Sequence, residues 1–274
     1  MCGTCGCGDG NGGGIRIAVP HEHGGTAHSH PHSGHPHGSH PHGAGPVGDD
    51  RHGVALAEAG ETITLEQRVL AKNDDLAGRN RRWLADHGVV AVNLMSSPGA
   101  GKTTLLERTI RDLAGSRPVV VVEGDQETML DADRIRRAGC PVVQVNTGAG
   151  CHLDAGMMSG ALTSLAPSSG TLVLVENVGN LVCPALFDLG ERSKVVIISV
   201  TEGTDKPLKY PYMFAAADLV VINKIDLLPY VDFDVARCEE YARSVNPGLR
   251  VLTVSATTGE GMDTWYAWVA RQYQ

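Results

Sequence analysis

The residues from Ser96 to Thr104 read Ser-Ser-Pro-Gly-Ala-Gly-Lys-Thr-Thr, a pattern suited to wrapping phosphate oxygens. Across Gly99, Ala100 and Gly101 the backbone can turn its N–H groups inward, and a helix begun at Lys102, Thr103 and Thr104 would add the free amides of its first turn. Lys102 would reach the β and γ phosphates, and the Thr103 hydroxyl would ligate Mg²⁺. Ser96 stands where such loops usually carry glycine, but the inner Gly-x-Gly-Lys-Thr does most of the wrapping. Further along, Asn223-Lys224-Ile225-Asp226 closes a β-branched run and offers a carboxylate to the ring N–H and exocyclic amine of guanine. Adenine presents the wrong edge and would leave Asp226 unpaired, at a cost of about 1–3 kcal/mol, so GTP is the expected nucleotide. Ser255-Ala256, after a later strand, is placed to give a backbone N–H to the guanine carbonyl. Asp125 and Glu176 each end an apolar strand and are expected to hold Mg²⁺ directly or through water, with Gly179 letting the backbone respond to the γ-phosphate. Lys102, Asp125 and Glu176 are therefore the expected catalytic group. No arginine or glutamine stands out as a residue that completes catalysis, so the expected hydrolysis is slow, about 10⁻⁴ to 10⁻² per second.

A second chemistry is written in soft donors. Cys2, Cys5 and Cys7 offer three thiolates within six residues, and with a terminal amine they could form a near-planar set suited to Ni²⁺, whereas Zn²⁺ prefers a tetrahedron. Nine histidines follow, His21, His23, His28, His30, His32, His35, His37, His40 and His42, spaced so that neighbouring pairs can chelate divalent ions weakly and reversibly. Proline, glycine and serine thread this tract, which favours a buffering or storage role over that of a purification tag. Cys151-His152 and Cys183 make a third candidate site for Zn²⁺ or Ni²⁺ if they converge; Cys183 lies seven residues past Glu176, within the segment expected to follow the γ-phosphate. Cys140 and Cys238 have no companions and read as structural.

These groups need elements to hold them. Residues 1–60 of the 274 are too poor in apolar side chains to bury a core and read as an extended, solvated tail, so the folded domain is expected over 61–274. Leu65, Val69, Leu76, Trp83 and Leu84 fall at helical offsets, which predicts an amphipathic helix from a Thr64 cap to Asp86, stopped by Gly88. Apolar runs starting at Val89, Val119, Val142, Thr171, Val195, Leu219 and Val251 alternate with helical patterns, which predicts a mostly parallel sheet covered on both faces. The net charge of −8, without a dense basic run, argues against nucleic acid or an anionic membrane as partner. No apolar run nears the roughly 18 residues of a membrane span, and the N-terminus lacks a signal-peptide pattern, so a cytoplasmic protein is expected.

The segments MCGTCGCG, SSPGAGKTT, VVEGD, NTGAGCHLD, VENVGNLVCP, TEGTDKPLKYP and NKIDLLPY, together with the histidine tract, closely resemble the hydrogenase nickel-incorporation GTPases, the HypB proteins, over essentially the whole chain. The resemblance implies a P-loop NTPase domain of α/β class behind a disordered metal-binding tail. It also implies a GTP-dependent homodimer, a HypA-type nickel and zinc accessory protein as partner, and the large subunit of a nickel-iron hydrogenase as recipient. By the same resemblance Cys2, Cys5 and Cys7 form a high-affinity site, and Cys151, His152 and Cys183 a site at the dimer interface. Lys206 and Lys209 become candidates to reach the partner's nucleotide. Urease nickel GTPases share the nucleotide loops but carry Cys-Pro-His where this chain has Cys183-Pro184-Ala185. Two rival readings are a nickel reservoir whose nucleotide domain only sets oligomeric state, and a cobalt or zinc chaperone built from the same parts.

Overall fold

Helix α1 runs from Arg51 to Asp86, 36 residues, well before the expected cap at Thr64 and into what read as extended tail. The residues Val54 to Ala59 are alanine, leucine, valine and glutamate, three of them strong helix formers, so the helix continues through Thr64 instead of starting there. It ends as expected: Gly88 takes φ +62°, and the Val89 N–H reaches back to the Leu84 carbonyl at 2.9 Å, satisfying the last turn. A computed structural model of the chain describes the backbone of residues 51–125, 130–148 and 150–274. Among the described residues, Leu70 to Gln274 fall in one compact unit and 51–69 in another.

The first strand, β1, spans Val90–Ser96 and leads into α2, Lys102–Leu113. There follow β2 (Val119–Asp125), α3 (Leu130–Arg137), β3 (Val142–Asn146), α4 (Ala155–Leu165), β4 (Leu172–Glu176) and a short α5 (Cys183–Leu186). The rest is β5 (Ser193–Ser199), α6 (Lys206–Lys209), α7 (Pro211–Ala215), β6 (Leu219–Asn223), a 3-10 turn (Ile225–Tyr230), α8 (Val235–Val245), β7 (Arg250–Thr253) and α9 (Met262–Arg271). All seven expected strands form and pair in parallel throughout, in the order β3-β2-β4-β1-β5-β6-β7.

Near-continuous apolar runs suit this sheet because both of its faces are covered. Leu172 and Leu174 of β4 point into the cluster with Leu105, Ile110, Trp265 and Trp268, while Val173 and Val175 point into the opposite one with Leu153 and Met158. Within the first layer Trp265 Nε1 donates to Thr109 Oγ1 at 2.9 Å, a bond between residues far apart in sequence. Parallel pairing delivers the carboxyl ends of all strands to one edge, so Ser96, Asp125, Glu176 and Asn223 gather there, with β1 between β4 and β5 at the point where the connections change direction.

On the second face α1 is held by two buried asparagines. Asn73 Nδ2 donates to the Asp188 carbonyl and its Oδ1 accepts from the Ala155 N–H, at 2.8 and 2.9 Å. Asn80 Nδ2 donates to the carbonyls of Ala155 and Leu189, at 2.8 and 2.9 Å. Gly190, at φ +88°, lies so close that a Cβ there would meet the Ala77 carbonyl at 2.5 Å. Asn80→Ala takes the side-chain donor from two buried carbonyls and should cost about 1–2 kcal/mol in denaturant unfolding, and Gly190→Ala should cost at least as much through clash and backbone strain. Stabilities within about 0.5 kcal/mol of wild type would remove α1 from the fold's structural core.

Candidate nucleotide and metal site

The expected phosphate loop joins β1 to α2. Gly99 and Gly101 adopt φ +76° and +95°, and Gly101 is required twice over, because a Cβ there would lie 2.5 Å from Asn223 Nδ2. As the α2 cap it brings no side-chain acceptor, so the first-turn amides from Lys102 onward face the loop and suit an anion. Lys102 Nζ donates to Ser96 Oγ at 3.0 Å. The serine found in place of the usual glycine thus holds the lysine in position. Burial pulls the Lys102 pKa down, and the charges of Glu176, Asp131, Glu123 and Asp125 act against that pull.

The base-reading loop is tied to the phosphate loop. Asn223 Nδ2 donates to the Ala100 carbonyl at 3.0 Å and Lys224 Nζ to the Gly99 carbonyl at 2.7 Å. Lys224 sits at φ +64°, which turns the chain so that Asp226 follows half-buried on the 3-10 turn. Ser255 Oγ donates to Asp226 Oδ1 at 2.5 Å, fixing the carboxylate. The Ser255 and Ala256 amides, expected to serve the guanine carbonyl, already donate to the Glu260 carbonyl and Asn223 Oδ1, at 2.9 and 3.1 Å. Ser255 therefore acts in this structure through its hydroxyl.

At the end of β4, Glu176 Oε1 accepts from Thr103 Oγ1 at 2.6 Å, while its Oε2 is buried without a hydrogen-bond partner. Glu123, singled out by no motif role, stands beside it: β2 and β4 place Glu123 opposite Glu176, and Glu123 Oε2 is likewise buried and unpartnered. Burial is the main cause that raises both carboxyls, Glu123 to about 8, with the nearby Glu176 charge adding to it, and Glu176 to about 7, with Lys102 opposing. Leaving such oxygens orphaned costs about 1–3 kcal/mol each, more when ionised. Orphan carboxylate oxygens next to a hydroxyl form a hard oxygen set that fits Mg²⁺. Asp125 shares the Glu123 face of β2, two residues on.

The third candidate site converges. The ligand atoms of Cys151, His152 and Cys183 all lie within 4.8 Å of one another, with Cys151 Sγ 3.7 Å from His152 Nδ1. Burial pulls the His152 pKa down, which keeps the ring neutral and free to coordinate. Phe187, not foreseen from sequence, stacks on that ring with centroids 3.7 Å apart. Two thiols and an imidazole satisfy Zn²⁺ or Ni²⁺. Cys140 and Cys238 are buried core thiols pushed up to about 12 by burial, in keeping with structural roles. Lys206 and Lys209 pair within the chain, with Glu202 at 3.0 Å and Asp205 at 2.9 Å, and Ser97 of the phosphate loop also donates to Glu202, at 2.6 Å. Cys2, Cys5, Cys7 and the histidines from His21 to His42 lie outside the described residues. Among the described residues no helix is long and apolar enough to cross a membrane.

Comparison with known proteins agrees with this geometry. The model of the family described as CobW/HypB/UreG, nucleotide-binding domain, matches residues 90–253. The chain is 58% identical over 207 residues to the hydrogenase maturation factor HypB of Rhizobium leguminosarum bv. viciae, covering 76% of this chain and 69% of that protein. It is 55% identical over 210 residues to the HypB of Escherichia coli strain K12, covering 77% and 72%. Among solved structures, HypB from Helicobacter pylori in complex with nickel superposes with a TM-score of 0.70 at 37% identity, covering 74% of this chain and 95% of that one. HypB from Archaeoglobus fulgidus also gives 0.70, at 40% identity, covering 74% and 100%. A phosphate loop, its partner loops and a soft-ligand trio on one sheet edge, with identities of this size across most of both chains, place the chain in the CobW/HypB/UreG family of nucleotide-binding proteins and, within it, among the HypB proteins.

Proposed function

We propose that this protein is a GTPase metallochaperone that uses slow GTP hydrolysis to gate nickel insertion into a nickel-iron hydrogenase. The observation that carries the reading is continuity: one segment, starting from Glu176 in the nucleotide site and reaching Cys183 in the metal site, spans both chemistries within eight residues. Relatives named hydrogenase maturation factors, and a neighbour crystallised with nickel, support the choice of recipient and cargo. Asp226, held by Ser255, favours guanine over adenine. Thr103, Glu176 and Asp125 would hold Mg²⁺, which when bound neutralises charge on the β and γ phosphates. Cys151, His152 and Cys183 take Ni²⁺ as cargo or Zn²⁺ as a structural ion. Cys2, Cys5 and Cys7 form the high-affinity nickel site, and the histidine tract buffers or stores nickel. Partners are a second copy of the chain, bound when GTP is bound, a HypA-type accessory protein and the hydrogenase large subunit. The protein acts in the cytoplasm, without nucleic acid or membrane as partner.

Three outcomes test the proposal. Lys102→Ala removes the cation at the β and γ phosphates and should lower GTP hydrolysis by about 100-fold; it should abolish hydrogenase maturation even in nickel-replete medium, where a protein lacking residues 1–60 still supports it. If nickel retention instead follows the tail and Lys102→Ala leaves maturation intact, the protein is a reservoir. Asp226→Asn exchanges an acceptor for a donor and should move preference from GTP to XTP by about tenfold or more, read in competitive nucleotide binding. Because folding raises the pKa of both Glu123 and Glu176 above 4.5, the folded state binds more protons, and the nucleotide-free protein should lose stability as pH rises from about 5 to about 8. Mg²⁺ should bind more tightly over the same interval. Thermal midpoints measured across that range should fall for wild type and flatten by several degrees for Glu123→Gln; parallel curves would show that Glu123 is not under burial stress.

A further inference from the structure

We propose that Asn177 is the positioning residue that hands a change at Glu176 to both segments carrying the domain's metal ligands. This rests on the reading above that nucleotide state sets how tightly the domain holds its ion. Asn177 follows Glu176 directly at the end of β4, and its N–H donates to the Leu94 carbonyl at 3.0 Å, continuing the β1–β4 ladder. Its side chain faces two ways. Oδ1 accepts from the Leu153 N–H at 3.1 Å, one residue past His152, and from the Val178 N–H at 3.0 Å. Nδ2 donates to Asn93 Oδ1 at 3.2 Å. Asn93 Nδ2 then donates to Glu191 Oε1 at 3.1 Å, and Glu191 Oε2 accepts from the Leu189 N–H at 2.7 Å. That second arm ends in the stretch following Cys183 and Phe187, the ring stacked on His152.

Every side chain in the relay is buried: Asn93 and Leu153 at 0%, Asn177 at 1% and Glu191 at 5% exposure. In such a dry network a broken bond finds no water to replace it, so the partners must follow one another. Thr103 Oγ1 and Glu176 Oε1 now satisfy each other, and an ion held by both oxygens in octahedral geometry would re-set that contact and shift Glu176. The displacement of Glu176 passes to Asn177 through one peptide bond. On the far side, Asn73 and Asn80 of α1 hold Ala155, Asp188 and Leu189, so the two ligand segments are clamped from outside and driven from within. The warrant is a contiguous set of hydrogen bonds, and its measure is a coupling between sites.

The test follows the two thiols separately in the full-length protein. Alkylation of Cys151 and Cys183 by iodoacetamide is quantified peptide by peptide, at buffered free Ni²⁺ and again in excess chelator, with Mg²⁺ and either GDP or a non-hydrolysable GTP analogue. In wild type the Ni²⁺ concentration giving half-protection should differ between the nucleotides by about 5-fold or more, and in Asn177→Ala by less than about twofold, with nucleotide affinity retained. Asn93→Ala keeps the Leu153 arm and breaks the Glu191 arm. In chelator, its Cys183 rate should respond to nucleotide less than in wild type while its Cys151 rate responds as before, and this result decides the matter if Asn177→Ala does not fold. A wild-type nucleotide ratio kept in Asn177→Ala, or both thiols of Asn93→Ala responding as in wild type, overturns the role of Asn177 and leaves the coupled switch intact. A wild-type protein with no nucleotide dependence at either thiol overturns the coupled switch and the relay together.

Discussion

Two glutamates that burial disfavours as ions set the terms for the rest of the molecule. Glu123 and Glu176 stand on neighbouring parallel strands at an edge where water is excluded, and each keeps one oxygen without a partner. Only the cation of Lys102 and the hydroxyl of Thr103 offset that cost from the phosphate loop. Both come from the first turn of α2, so the loop, the strand ends and the ionisation state form one electrostatic unit. A protein gains little stability from such an arrangement, since buried charge is costly unless fully paired. The cation of the proposed function would supply the missing partner.

The scaffold answers that local cost with rigidity around it. Seven parallel strands bring their carboxyl ends together, and apolar layers on both faces fix each strand's register. Polar groups inside those layers are few and mostly satisfied: Asn223 ties the base-reading loop to the phosphate loop, Trp265 finds Thr109, and the asparagines of α1 close the back of the metal-ligand segments. Among the described residues four buried side-chain atoms lack a hydrogen-bond partner, and two of them are oxygens of the neighbouring Glu123 and Glu176.

Much of this was legible in the chain because it depends on local pattern. Apolar runs of strand length, separated by helical stretches, announce a doubly covered parallel sheet, and every expected strand formed to within a residue or two. The phosphate loop and the Asn-Lys-x-Asp stretch carry their chemistry in consecutive residues, so their positions could be read directly. The start of α1 could not, because an alanine-rich run beside a glycine-rich tail gives no local sign of where helix begins, and Thr64 looked like a cap in isolation. Glu123 was hidden for a different reason. Its partner is 53 residues away, and only the β2–β4 register brings the two together. Phe187 and Asn177 were missed in the same way, as roles created by tertiary contact between segments whose own sequences say nothing of it.

The metal trio has an asymmetry with kinetic meaning. Cys151 and His152 are neighbours in sequence, and the histidine ring is already braced by Phe187, so these two can capture an ion with little ordering cost. Cys183 comes from a separate segment 31 residues on, across β4. An ion held by the trio would therefore bridge a chelate of sequence neighbours and a thiol from a separate segment. Withdrawing that thiol would leave a two-donor chelate, and the loss of one donor would show chiefly in how long the ion stays. Under the proposed carrier role, residence time is then the quantity that the remote thiol would set, so holding a scarce ion and letting it go become one adjustment.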